Sequence, residues 1–348
     1  MISDLRTRER IAPAMRFSVD GWDPGYGTSL DLEDYLGEST ARVDPTVELP
    51  VGQWRPVDPD RGRRLPDALL FVDGVRRVEA RVWIDDMPSN GSRAATASAA
   101  LCASYAAGVV CCCPERAHLV HAERRRCLFT IAPHATAIRT WAGTYAASPT
   151  AASATVPLSV TLSEAIQREL GEVELETAIA ARGSMTGHGV PPGGDLLVID
   201  GPLRGRAHLP RAIGYIKSHR SSYLPAELNA VVAGLAAGQR TPVFLMGTTW
   251  DRHSWYLRLP AAPGAPWAGV VRIECSASLP VAEVLELADL SQLCLGRFAS
   301  TEYKDGRAPQ NLYPIAGLER ELRRRLGDAR LLYRAIRQAA QHDAGPPD

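Results

Sequence analysis

Several things are missing from this sequence, and each narrows what the chain can be. Net charge is missing: 39 Lys and Arg balance 39 Asp and Glu over 348 residues. There is therefore no global electrostatic case for nucleic acid, and any basic surface must be local. No apolar run approaches membrane-spanning length, and Met1-Ile2-Ser3-Asp4-Leu5-Arg6 lacks the apolar core of a signal peptide. The expected location is the cytoplasm. Separated cysteine pairs are missing as well. The seven cysteines are odd in number, and Cys111-Cys112-Cys113 stand together in an apolar run, which reads as buried thiols in a strand rather than a zinc site. No internal repeat is found. The length suffices for a sizeable core, in one large domain or two smaller ones.

What is present centres on the stretch from Gly194 to Leu203. Leu196-Leu197-Val198-Ile199 is an apolar, partly β-branched run bounded by Gly-Gly and Gly-Pro, and it ends in Asp200. This is the pattern of a short buried strand that presents a carboxylate at the rim of a sheet. The arrangement occurs once before, where Asp67 to Val72 runs into Asp73-Gly74. Asp-Gly is also ordinary turn chemistry. If the two strands lie side by side, however, Asp73 and Asp200 form a pair of hard oxygen ligands suited to Mg²⁺ or Mn²⁺.

Taken in order, residues 1–65 are rich in Arg, Asp, Gly and Pro, with one helical run at 30–36, and read as an N-terminal arm or docking segment. Residues 66–340 read as the main domain and 341–348 as a disordered tail. A hairpin over 68–84 turning at Asp73-Gly74, and strands at 99–113 and 127–131, open that domain, with Arg124-Arg125-Arg126 as a solvated basic cluster. Residues 134–160 carry no clear pattern. Ser163 is placed as the N-cap of a helix to Ile179 whose many glutamates mostly face water. A Gly/Pro-rich loop at 183–194 leads to the Asp200 strand. Next come a strand over 212–219, a helix over 225–237 and strands at 242–246, 254–259 and 269–275. Helical patterns at 280–297 and 318–340 close the chain. This order suits a mixed α/β sheet with helices packed on it.

The layout, an Asp-bearing strand, an acidic helix and a second Asp-bearing strand, is that of the RNase H-like fold. Phe71-Val72-Asp73-Gly74, Leu197 to Leu203, Ile213-Gly214-Tyr215-Ile216-Lys217-Ser218 and a late Tyr313-Pro314 resemble, in order and spacing, the NurA nuclease family over roughly residues 65–330. The resemblance implies a DNA nuclease that uses Mn²⁺ or Mg²⁺, acts as a homodimer with HerA, a hexameric DNA-translocating ATPase, and serves in DNA end processing or defence against foreign DNA. Carried over by position, Asp73 and Asp200 match metal-binding acids, Lys217 the family lysine and Tyr313 the tyrosine of the closing motif. A further glutamate is expected within Glu169 to Glu176. Glu176 is favoured because Val173 and Ala180 bracket it, with Glu172 and Glu174 as alternatives. One departure is the absence of a histidine shortly after Tyr313-Pro314, where Glu319 is the candidate replacement ligand. His219 and Arg204 are candidate phosphate contacts. Arg204, Arg206, Arg211, Lys217 and Arg220 form a local basic rim, and the arm and the helix from Arg320 to Arg337 are the places to seek the ATPase. The rival readings are a catalytically inactive RNase H-like subunit and an Argonaute-like RNA-directed nuclease, which a co-purified guide strand would support.

Overall fold

The computed structural model describes residues 37–38, 41–85, 97–114, 116–153, 155–187, 190–219, 221–260, 267–301 and 308–343. The expected helix at 30–36 and Arg220 lie outside the described residues. In chain order the elements are β1 (Gly37–Glu38), β2 (Arg42–Asp44), β3 (Ala68–Asp85), β4 (Ala97–Cys112), β5 (Ala117–Thr130), β6 (Ile138–Thr140), β7 (Gly143–Pro149), α1 (Leu158–Gly187), β8 (Asp195–Asp200), β9 (Ala212–Ile216), β10 (Ser221–Ser222), α2 (Ala226–Ala233), β11 (Phe244–Gly247), β12 (Asp251–Arg258), β13 (Val270–Ser276), α3 (Val281–Leu295), α4 (Tyr313–Leu326) and α5 (Ala329–Asp343). The class is mixed α/β. One sheet of 11 strands runs β2-β11-β12-β13-β9-β8-β3-β4-β5-β7-β6.

Its middle is the RNase H-like arrangement. β3, β4 and β5 form an antiparallel meander, and β8 then β9 add in parallel on the free side of β3. The long crossover between meander and β8 carries α1, as a parallel return to the same sheet requires. Alternation along β3 sorts its side chains. Ala68, Leu70 and Val72 pack with Ala178, Ala181 and Met185 of α1, whereas Leu69 and Phe71 join the cluster that holds Val284 and Leu287 of α3. α4 covers the α3 side farther along, with Leu318, Leu322 and Leu326 packed on Val75 and Ala106. Both faces of β3 and β8 are thus buried, which explains why these strands read as continuous apolar runs.

Several expectations require correction. Asp73-Gly74 is not a turn: β3 runs through it unbroken, pairing Asp73 with Gly108 and Gly74 with Ala107. Glycine is needed there because a Cβ would sit 2.5 Å from Oε1 of Glu174 and 2.7 Å from Cδ1 of Leu170. The helix α1 begins five residues before Ser163, so Ser163 is not its N-cap. The unpatterned 134–160 stretch contains β6 and β7. The Arg124–Arg126 cluster is not simply solvated. Arg124 and Arg126 donate to the carbonyls of Arg325 and Leu326, and Arg77 donates to Gly327. These arginines satisfy the exposed carbonyls of the C-terminal end of α4 and oppose its dipole. Of the segment read as an arm, residues 41–65 lie on the domain: β2 pairs with β11, Trp54 is buried, and Glu48 makes a two-pronged ion pair with buried Arg240 at 2.7 and 2.9 Å.

Candidate functional site

The parallel register of β3 and β8 places Phe71 beside Val198 and Val72 beside Ile199. One residue further stand Asp73 and Asp200. Because both share the parity of Phe71 and Val198, both carboxylates point to the face covered by α3 and α4. From α4, whose apolar stripe Ile315, Leu318 and Leu322 is fixed against the sheet, Glu319 reaches the same place. One carboxylate oxygen from each of Asp73, Asp200 and Glu319 lies within 4.8 Å of the others.

Burial and like charge shape the group. Asp73 is buried, and its Oδ1 accepts from the Gly74 amide at 2.7 Å while Oδ2, also buried, has no hydrogen-bond partner. Burial first, then the Asp200 charge, holds the Asp73 carboxyl well above the usual carboxylate range, against the pull of Lys217, with Glu319 and Glu174 adding to the rise. Lys217 places Nζ 2.7 Å from Oδ2 of Asp200 and donates to Oδ1 of Asn311 at 3.1 Å. The turn after Asp200 is pinned from below. Gly201 takes φ 99° and donates to the Tyr215 carbonyl, and the Leu203 amide donates to buried Glu274 at 2.8 Å. Glu274 is held in turn by Arg252 and Arg272 at 3.2 and 2.9 Å.

Among the candidate glutamates of α1, the one that lies against β3 beside the group is Glu174 rather than Glu176. Glu174 is buried, stacks over Gly74, and pairs with Arg206 at 2.5 Å. Burial raises its carboxyl, Arg206 lowers it, and Asp200 raises it again, which places it within electrostatic reach of the group. Glu176 is half exposed and pairs with Arg125 and so stands outside the cluster. Glu172 is exposed as well. Tyr313 opens α4 at 38% exposure, with its hydroxyl 2.9 Å from that of Thr301.

The expected basic rim is largely spent on internal acids. Arg206 serves Glu174, Arg211 serves Glu286 at 2.8 Å, and Lys217 serves Asp200. His219 turns inward, with a ring nitrogen 2.9 Å from the Val270 carbonyl and its ring between Tyr256 and Trp267, so it is not placed for phosphate. Exposed positive charge near the site comes instead from Arg204, on the loop after Asp200, and from Arg320 and Arg323 on the helix that carries Glu319.

Converging carboxylates with an orphaned buried oxygen fit a hard divalent cation, which relieves their repulsion and takes the unused lone pairs. Asp73, Asp200 and Glu319 have the donor chemistry to hold one. Glu274 and Asn311 were not anticipated from sequence, and Arg206 was expected on the basic rim rather than as the partner of Glu174. Asn311 stands two residues before Tyr313 and was legible only as a neighbour of that motif. No helix among the described residues is long and apolar enough to cross a membrane. No protein-family model matches the sequence, and comparison with curated proteins finds no match. Among solved structures, the chain is similar to the NurA nuclease from Sulfolobus solfataricus, with a TM-score of 0.41 and 8% identity, over 77% of this chain and 81% of that one.

Proposed function

We propose that this protein is a divalent-metal-dependent nuclease that hydrolyses phosphodiester bonds of DNA. The observation that carries the reading is the meeting of Asp73, Asp200 and Glu319 within 4.8 Å around a buried, unpartnered carboxylate oxygen. Mg²⁺ or Mn²⁺ held there would polarise the scissile phosphate and make water a competent nucleophile. Asp73, central and backbone-anchored, would be the shared ligand, and Asp200 and Glu319 would close the site from β8 and α4. Glu174, fixed by Arg206, replaces Glu176 as the glutamate contributed by α1, adding negative charge that favours cation uptake. Lys217 orients Asp200 and brings a compact positive charge to the phosphate side. Arg204, Arg320 and Arg323 would steer the polynucleotide backbone, positioning it without reading sequence.

The sequence resemblance extends the proposal to a homodimer fed by a HerA-like hexameric ATPase, in end processing or defence. The test is metal-dependent cleavage of single- and double-stranded DNA by the wild type, Asp73→Ala and Asp200→Ala. Each variant should lose roughly a hundredfold or more, the scale for removing one charge-stabilising group from an active site. Equal traces for all three proteins would sink the proposal. One observation favours a second reading, an inactive structural subunit: Lys217 already neutralises Asp200 at 2.7 Å. Under that reading the wild type takes up neither Mn²⁺ nor Mg²⁺ in calorimetry.

A further inference from the structure

On the opposite face of the sheet, a second group of side chains converges that the proposed hydrolysis does not use. Cys111 and Cys113 are two residues apart at the end of β4, so strand alternation turns both toward the α1 side and Cys112 toward the α3 side. Cys111 packs with Ala181 and Met185, while Cys112 packs with Leu69 and Phe71. In β5 the residue directly opposite Cys111 is His118. One ligand atom from each of Cys111, Cys113 and His118 lies within 4.8 Å of the others. Nδ1 of His118 is buried and has no hydrogen-bond partner. The group is separate from the carboxylates. Asp73 pairs with Gly108, three residues before Cys111 on β4, roughly 10 Å along the strand and on the other face.

We propose that Cys111, Cys113 and His118 form a zinc site that fastens the β4–β5 turn beneath the end of α1. Two sulfurs and one imidazole are the soft and borderline donors that select Zn²⁺ over Mg²⁺ or Mn²⁺. Tetrahedral zinc with bonds of about 2.3 Å to sulfur separates its sulfur ligands by about 3.8 Å, which falls inside the 4.8 Å that bounds the three ligand atoms. Binding releases the protons of both thiols, and two thiolates with one neutral imidazole cancel the ion's charge, which suits a site walled by Cys111 at full burial. Ligation replaces the bond that Cys113 Sγ now donates to the Arg116 carbonyl at 3.2 Å. A disulfide suits this geometry less well. Residues two apart in a strand hold their Cα atoms about 6.6 Å apart, at the far edge of the disulfide range. Among the described residues no further His, Cys, Asp or Glu joins the three within the same distance.

The test is titration of the full-length, reduced, chelator-stripped protein with Co²⁺, followed by displacement with Zn²⁺. Sulfur-to-cobalt charge-transfer bands report thiolate ligation and are blind to the carboxylate group. Wild type and Cys112→Ser should develop the bands at one equivalent and lose them to Zn²⁺. Cys113→Ser and His118→Ala, both at half-buried positions that tolerate substitution, should bind more than about tenfold more weakly. Absence of the bands in wild type, equal bands in Cys113→Ser, or a Cys111–Cys113 disulfide in place of metal uptake would overturn the proposal. Competition against a zinc chelator on wild type alone gives an independent reading should a variant fold poorly.

Discussion

Replacing Asp73 by Asn should stabilise the protein without metal and abolish its stabilisation by metal. Charges within 4.8 Å of one another repel by about 3.5 kcal/mol at an effective dielectric near 20. Lys217 offsets part of this, so the expected gain for metal-free Asp73→Asn near neutral pH is about 1–3 kcal/mol, or roughly 2–4 °C per kcal/mol. The pH dependence has a definite sign. The folded carboxyl is held well above its unfolded value, by burial first and Asp200 next, so the folded state keeps a proton that the unfolded chain releases. That stability is full below about pH 3.9 and is lost as pH rises through the raised folded value. Asn cannot lose it, so the two proteins should diverge with increasing pH. Adding Mn²⁺ at about 100 times its dissociation constant should return about 2.7 kcal/mol to the wild type and little to the variant. Thermal melts of both proteins, with chelator and with Mn²⁺, across a pH series provide the measurement. A variant less stable than wild type under chelator, or equally stabilised by Mn²⁺, would refute the reasoning.

Three further outcomes follow from particular contacts. Glu174→Gln should lower cleavage by about tenfold or more, whereas Glu176→Gln, at a half-exposed ion pair, should leave activity unchanged and move stability by less than about 1 kcal/mol; kinetics and urea melts on both variants decide between the two glutamates. Gly74→Ala should destabilise by about 1–3 kcal/mol through overpacking on Glu174 and Leu170, read from denaturant midpoints. Arg240→Met should cost about 3 kcal/mol, the low end for a broken buried pair, because Glu48 loses its arginine at 2.7 Å while Asp289 keeps Arg63 at 2.7 Å, and unfolding curves without loss of midpoint would contradict this.

Much of the central sheet was legible because its strands, buried on both faces, read as continuous apolar runs. The runs ending in Asp73 and Asp200 are strands, and they neighbour each other. The register that joins them was not legible, since it depends on pairing between segments more than a hundred residues apart. Asp73-Gly74 misled because Gly reads as a turn residue, while its real constraint is the close approach of α1. Glu174 was recoverable: it falls four residues after Leu170 and four before Ala178, the buried stripe of α1, whereas Glu176 falls beside exposed Glu172 and Ile179. The rim arginines were misread because composition gives their number but not their partners. Buried Glu174 and partly buried Asp200 took Arg206 and Lys217 as counter-charges. The two thiols beside His118 were missed because triplet spacing looks wrong for zinc until alternation is applied to it.

The neighbouring aspartates also act as a vernier for the whole sheet. They sit one step past the last paired residues of two neighbouring parallel strands. A slip of β8 by a single residue would preserve an apolar strand, since both of its faces are buried, yet would rotate Asp200 toward α1 and leave Asp73 alone. A misaligned molecule could therefore pass for a native one by helix content and compactness while being unable to gather a cation. If the proposed cation site holds, metal uptake rather than secondary structure is the gauge of whether a given preparation has threaded correctly.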